Sequence, residues 1–70
     1  MMDTLEGRVV AFDERRGLGA VESSTGTRYD FHCTAIANGS RTIAGGARVE
    51  FTLVPGPVGR FEAGAIRAVG

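Results

Sequence analysis

A chain of 70 residues has room for one domain, and a domain of this size hides only about 60% of the surface its unfolded form exposes, so one shared core fits and a two-domain enzyme does not. Its eight basic residues, all of them arginine, balance eight acidic ones, which removes the long-range attraction by which a dedicated nucleic-acid binder gathers its ligand. A lone cysteine, Cys33, forms no internal disulfide, no apolar stretch approaches the roughly 18 residues of a membrane span, and Met1-Met2-Asp3-Thr4-Leu5-Glu6 lacks the basic region and apolar run of a signal peptide; the expectation is a soluble, non-secreted, cytoplasmic protein with no membrane partner.

Apolar and polar residues alternate in short runs punctuated by glycine, which favours strands over helices. The first predicted strand, Arg8 to Asp13, has Val9 inward and Phe12 near its end. Asp13-Glu14-Arg15-Arg16-Gly17 is a polar, glycine-ended hairpin turn. Leu18 to Ser23 is the second strand, with Val21 in the core and Gly19 allowing close backbone approach. After the turn Ser23-Ser24-Thr25-Gly26-Thr27, the third strand runs from Arg28 to Cys33 and has the cleanest period of two: Tyr29, Phe31 and Cys33 point one way, Asp30 and His32 the other.

Thr34-Ala35-Ile36 reads as a single helical turn leading into a loop with Asn38-Gly39-Ser40-Arg41 and Gly45-Gly46. Ala47 to Val54 resumes the alternation, with Val49, Phe51 and Leu53 inward and Arg48, Glu50 and Thr52 outward. Pro55-Gly56-Pro57-Val58-Gly59 breaks the strand into a turn, and a last strand spans about Arg60 to Val69. Five short strands with one longer crossing between the third and fourth suit a small Greek-key barrel. On pattern alone a five-stranded sheet with an open edge fits equally.

The order of particular residues narrows the choice. Leu5-Glu6-Gly7-Arg8-Val9, Arg16-Gly17-Leu18-Gly19-Ala20-Val21, Tyr29-Asp30-Phe31-His32-Cys33-Thr34-Ala35-Ile36 and Gly46-Ala47-Arg48-Val49-Glu50-Phe51 occur in the sequence in the order and at the spacing of the cold-shock domain family. The second and third of these segments resemble its ribonucleoprotein motifs, basic-Gly-Phe-Gly-Phe-Ile and Val-Phe-Val-His-Phe-Ser-Ala-Ile. The resemblance to these bacterial cold-shock-like proteins runs from Leu5 to about Val69, with residues 1–4 a short extension. It implies an all-β fold, a small five-stranded antiparallel Greek-key barrel of the OB type. It leaves two alignments of the last strand, one or two residues apart.

Proteins of that family bind single-stranded RNA or DNA on the outer face of the first three strands, where aromatic rings stack on bases and basic groups hold phosphates. The resemblance therefore implies a non-enzymatic, chaperone-like nucleic-acid binder with no cofactor and no small-molecule substrate. This chain departs from the pattern at the face itself. Ala11 stands where the family has tryptophan, and Leu18, Ala20, Asp30 and Cys33 stand where it has phenylalanines; the loop phenylalanine has no counterpart, Ser40 and Arg41 lying nearest. Only Phe12 and His32 keep a ring, and Phe12 is expected mainly to pack at the rim and lend an edge to the face.

Stacking contributes roughly 1–3 kcal/mol per base, so two lost rings cost about 2–6 kcal/mol, or on the order of 30-fold to ten-thousand-fold in affinity. Asp30 adds repulsion toward phosphates. The candidate binding residues are Arg8, Arg16 and Arg60 for phosphates, with Arg28 as a further cation, and Phe12, Leu18 and His32 for bases. Arginine's planar guanidinium also stacks on bases. The competing expectation is that Leu18, Ala20 and Cys33 turn the face into a surface for a protein partner or a homodimer.

Catalysis and metal binding find no support in the residues. One cysteine and one histidine do not make a four-ligand zinc site, and as neighbours on a strand Cys33 and His32 are expected to point to opposite faces, which separates a nucleophile from a base. Gly17-Leu18-Gly19 is not a phosphate loop, since no helix follows and the chain has no lysine.

Overall fold

A computed structural model describes residues 4–69, so most of the expected extension over residues 1–4 lies outside the described residues. Five strands follow one another: β1 (Leu5–Asp13), β2 (Leu18–Ser23), β3 (Arg28–His32), β4 (Arg48–Pro55) and β5 (Phe61–Ala68). Short 3₁₀ turns at Cys33–Ala35 and Pro57–Gly59 stand before β4 and β5. No helix is long and apolar enough to cross a membrane.

The strands form one antiparallel sheet in the order β3-β2-β1-β4-β5. The chain builds β1 to β3 as consecutive hairpins, then crosses over to lay β4 on the free side of β1. Among the described residues, β3 and β5 share no ladder, and the segment just after the first 3₁₀ turn meets β5 through a parallel bridge between Ile36 and Ile66.

Apart from shifts of one residue at the start of β4 and at the ends of β5, observed boundaries depart from the expected ones at three places. The first strand begins at Leu5 rather than Arg8, because Leu5 to Arg8 pair with Phe51 to Arg48 of β4. The third ends at His32, not Cys33: the His32 ring accepts a hydrogen bond from the Thr34 backbone N–H at 3.3 Å and caps the 3₁₀ turn that Cys33 opens. Pro55 belongs to β4, opposite Phe61, a strand-terminal position where its missing N–H leaves no interior gap in the ladder.

Two bulges bend the sheet. In β1, Val9 faces Val21 and Ala11 faces Ala20, leaving Val10 without a partner. In β5, Glu50 faces Arg67 and Thr52 faces Gly64, so two residues, Ala65 and Ile66, oppose Phe51 alone. This fixes the register of the last strand, with Val54 opposite Glu62 and Leu53 opposite Ala63. Ala65 takes a φ of +48°, the only positive value at a non-glycine residue among those described.

The sheet wraps around Val9, Val21, Phe31, Val49, Phe51 and Ile66, all at most 2% exposed, and each such side chain contributes about 1.5–3 kcal/mol by leaving water. Ile36 and Ala63 complete this cluster, while Leu53, expected inward, is only half-buried against it. Tyr29 and Phe51 meet with ring centroids 5.9 Å apart and planes tilted by 58°. The tight point is Gly7, where an added Cβ would be driven onto the backbone carbonyl of Glu22.

Gly7→Ala is therefore expected to lower stability by at least about 2 kcal/mol, because backbone cannot retreat as a flexible side chain can. Ala65→Gly is expected to do the reverse, relieving the left-handed backbone and adding up to about 1 kcal/mol, or a few degrees in melting temperature. Thermal unfolding followed by circular dichroism measures both; a melting temperature of the Ala65→Gly protein below the parent's would contradict the strain assigned to that bulge.

Candidate nucleic-acid interface

Strand register decides which side chains share the outer face. Residues directly opposite one another in antiparallel strands point to the same side, so β1, β2 and β3 present three outward rungs: Arg8–Glu22–Arg28, Ala11–Ala20–Asp30 and Asp13–Leu18–His32. The inward rungs between them are Val9–Val21–Tyr29 and Phe12–Gly19–Phe31. The unpaired Val10 makes this possible, since without it Val9 and Phe12, three positions apart, would face opposite sides.

Phe12 consequently stands with the core. Its ring stacks on Phe31 with centroids 5.9 Å apart and planes 8° from parallel. The two rings meet across Gly19, where a Cβ would lie 2.6 Å from the Phe31 ring. Phe12 is half-buried at the rim and does not share the outward rungs with Leu18 and His32.

Leu18 is 47% exposed and stands directly beside His32. The His32 imidazole is oriented by its own turn: Nδ1 accepts from the Thr34 N–H and lies 3.1 Å from Thr34 Oγ1. With Nδ1 an acceptor, the neutral ring carries its proton on Nε2. The expected opposition of His32 and Cys33 does not hold, because the strand ends between them; Cys33 Sγ approaches Nδ1 to 3.9 Å. That nitrogen is already engaged by Thr34, so the contact does not make a base for a nucleophile. The half-buried sulfur fills the space over Gly17, where a Cβ would come within 2.9 Å of it.

A shallow depression of 520 Å³ is bordered by Ala11, Leu18, Arg28, Asp30 and His32. Ala20 faces outward but forms the floor, only 4% exposed, because its longer neighbours stand over it. Glu62 of β5 reaches the same depression, bringing a second carboxylate beside Asp30. No local sequence signal marks Glu62, since β5 nears β3 only when the sheet curls.

The cations are dispersed. Arg8 is exposed, opposite Glu22 on one side and Arg48 on the other. Arg16 extends from the β1–β2 turn, which Asp13 pins by accepting from the Arg15 and Arg16 N–H groups at 3.0 and 3.3 Å. Arg60 is exposed at the junction of the second 3₁₀ turn with β5. Beside it Phe61 is 59% exposed, a ring that the reading by motifs passes over because it lies outside them. The only ion pair among the described residues, Arg67 with Glu50 at 2.7 Å, lies away from β1 to β3. Also among the described residues, no group of three His, Cys, Asp or Glu side chains is placed to hold a metal ion.

No family model matches the chain. The Cold shock-like protein CspE of Escherichia coli (strain K12) is 37% identical to it over 67 residues, covering 93% of this chain and 97% of that protein. The Cold shock-like protein CspE of Shigella flexneri matches to the same extent.

Proposed function

The chain belongs to the cold-shock protein family, and from that premise we propose that it binds single-stranded RNA or DNA on the outer face of β1, β2 and β3, weakly and with little sequence preference. In this reading residues 5–69 form one OB-type barrel that acts as a nucleic-acid chaperone, without enzymatic activity and in the cytoplasm. The observation that carries it is the rung on which exposed Leu18 adjoins the oriented His32 ring, with Arg16 in the neighbouring turn.

His32 stacks on a base and donates through Nε2, Leu18 lies under a second base, and Phe12 lends only a ring edge. Arg8, Arg16 and Arg60 hold phosphates. Asp30 and Glu62 oppose them, so affinity is lower than on a face of full aromatic rings, by about 1–3 kcal/mol for each absent stack. A second reading gives the face to a protein partner or a second copy of the chain. The apolar floor of Ala11 and Ala20 beside Leu18 favours it, while the two flanking carboxylates limit the apolar area available.

Anisotropy titration with fluorescent oligo-dT and oligo-U at low and physiological salt is expected to show binding that weakens steeply as salt rises. No binding at tens of micromolar in low salt would overturn the proposal, and a concentration-dependent dimer in light scattering would then support the second reading. Joint replacement Leu18→Phe and Asp30→Phe is expected to raise affinity at least on the order of tenfold, by adding two rings and removing a carboxylate.

A further inference from the structure

A second depression, of 620 Å³, opens where the outer face ends, between the β1–β2 turn and the crossing from β3 to β4. Arg15 and Arg16 border it from the turn, Arg41 from the crossing and His32 from β3, against one carboxylate, Glu14. All three arginines are exposed, and no carboxylate of the described residues lies within ion-pair distance of them. Both walls are held in place. The Cys33 N–H donates to the Gly17 carbonyl at 2.7 Å, tying the turn to β3, and Asn38 Oδ1 accepts from the Ser40 N–H at 2.9 Å in the crossing.

Three guanidinium groups around one recess repel one another, and an anion among them turns that cost into attraction. The anion's charge and the recess's position narrow its identity. A phosphate monoester carries about −1.5 to −2 at neutral pH, more than the single charge of an internal diester. The rung Asp13–Leu18–His32 is the last along these strands, so a strand that lies across the rungs and ends at this rung presents its terminal group to the recess.

We propose that the recess formed by Arg15, Arg16 and Arg41 beside His32 takes the terminal phosphate monoester of a single-stranded oligonucleotide bound to the outer face. This rests on the nucleic-acid reading above and adds selectivity for the chemistry of a chain end. The oligonucleotide's polarity on the face is set by which end carries the phosphate. Arg41 is the cation that the crossing contributes.

The test is competition of unlabelled oligo-dT against a labelled probe, with three otherwise identical strands: hydroxyl at both ends, phosphate at the 5′ end, phosphate at the 3′ end. One phosphorylated strand is expected to bind on the order of tenfold more tightly than the hydroxyl form. Arg41→Gln and Arg15→Gln are each expected to bring that ratio towards one without moving the melting temperature, whereas Arg67→Gln leaves it unchanged. Equal affinities for the three strands would overturn the terminal-phosphate site and leave nucleic-acid binding standing. A ratio that survives both Arg41→Gln and Arg15→Gln would overturn the assignment to this recess, and failure of every strand to bind would overturn both proposals.

Discussion

The unpaired Val10 in β1 sets the phase of everything that follows on the central strand. Before it, Leu5, Gly7 and Val9 face inward; after it, Phe12 does, because one additional residue has been spent without a partner. The bulge is held by backbone groups: the Val9 N–H donates to the Ala47 carbonyl and its own carbonyl accepts from the Gly46 N–H. These bonds continue β1 past the end of its ladder with β4, where the sheet must bend. A strand without this step would put Phe12 among the outward side chains and take its ring away from Phe31.

Core and face are thereby written on the same strands in alternating positions. The inward set retains large apolar side chains at full burial, including Val9, Val21, Phe31 and Phe51. The outward set on β1, β2 and β3 is alanine, leucine, histidine, aspartate, glutamate and arginine. Burial penalises almost any change inward, whereas an outward ring contributes little to folding and is lost without consequence for the core. The same strands thus carry a closed core and an outer face of mixed charge, with Asp30 and Glu62 at one depression and Arg16 and Arg41 at the other.

Much of the fold was legible in the sequence because alternation is a local property. Tyr29 and Phe31 against Asp30 and His32, or Val49 and Phe51 against Arg48, declare their faces within a few residues. The start of β1 was less legible, since Glu6 and Gly7 become strand by pairing with residues more than 40 positions away. Both bulges escaped for the same reason: an extra residue is visible only against the partner strand. The candidate site was legible as a set of types and poorly legible as an arrangement. Leu18 and His32 prove to be cross-strand neighbours, but the inward turn of Phe12, the burial of Ala20 and the arrival of Glu62 follow from register and curvature, which single residues do not encode.

The seam between β3 and β5, which among the described residues has no ladder and is bordered by the Ile36–Ile66 bridge just beyond β3, makes the molecule unevenly resistant to opening. Gly7 and Arg8 of β1 pair with both β2 and β4, so their amides are expected to exchange with solvent only in large openings of the sheet. Amides of β3 that face the seam have no such ladder and exchange through a local parting at a fraction of the global free energy. β3 and β5 are thus the strands held by one ladder each, and the side of the outer face that carries His32 and Asp30 is expected to part before the core beneath β1 does.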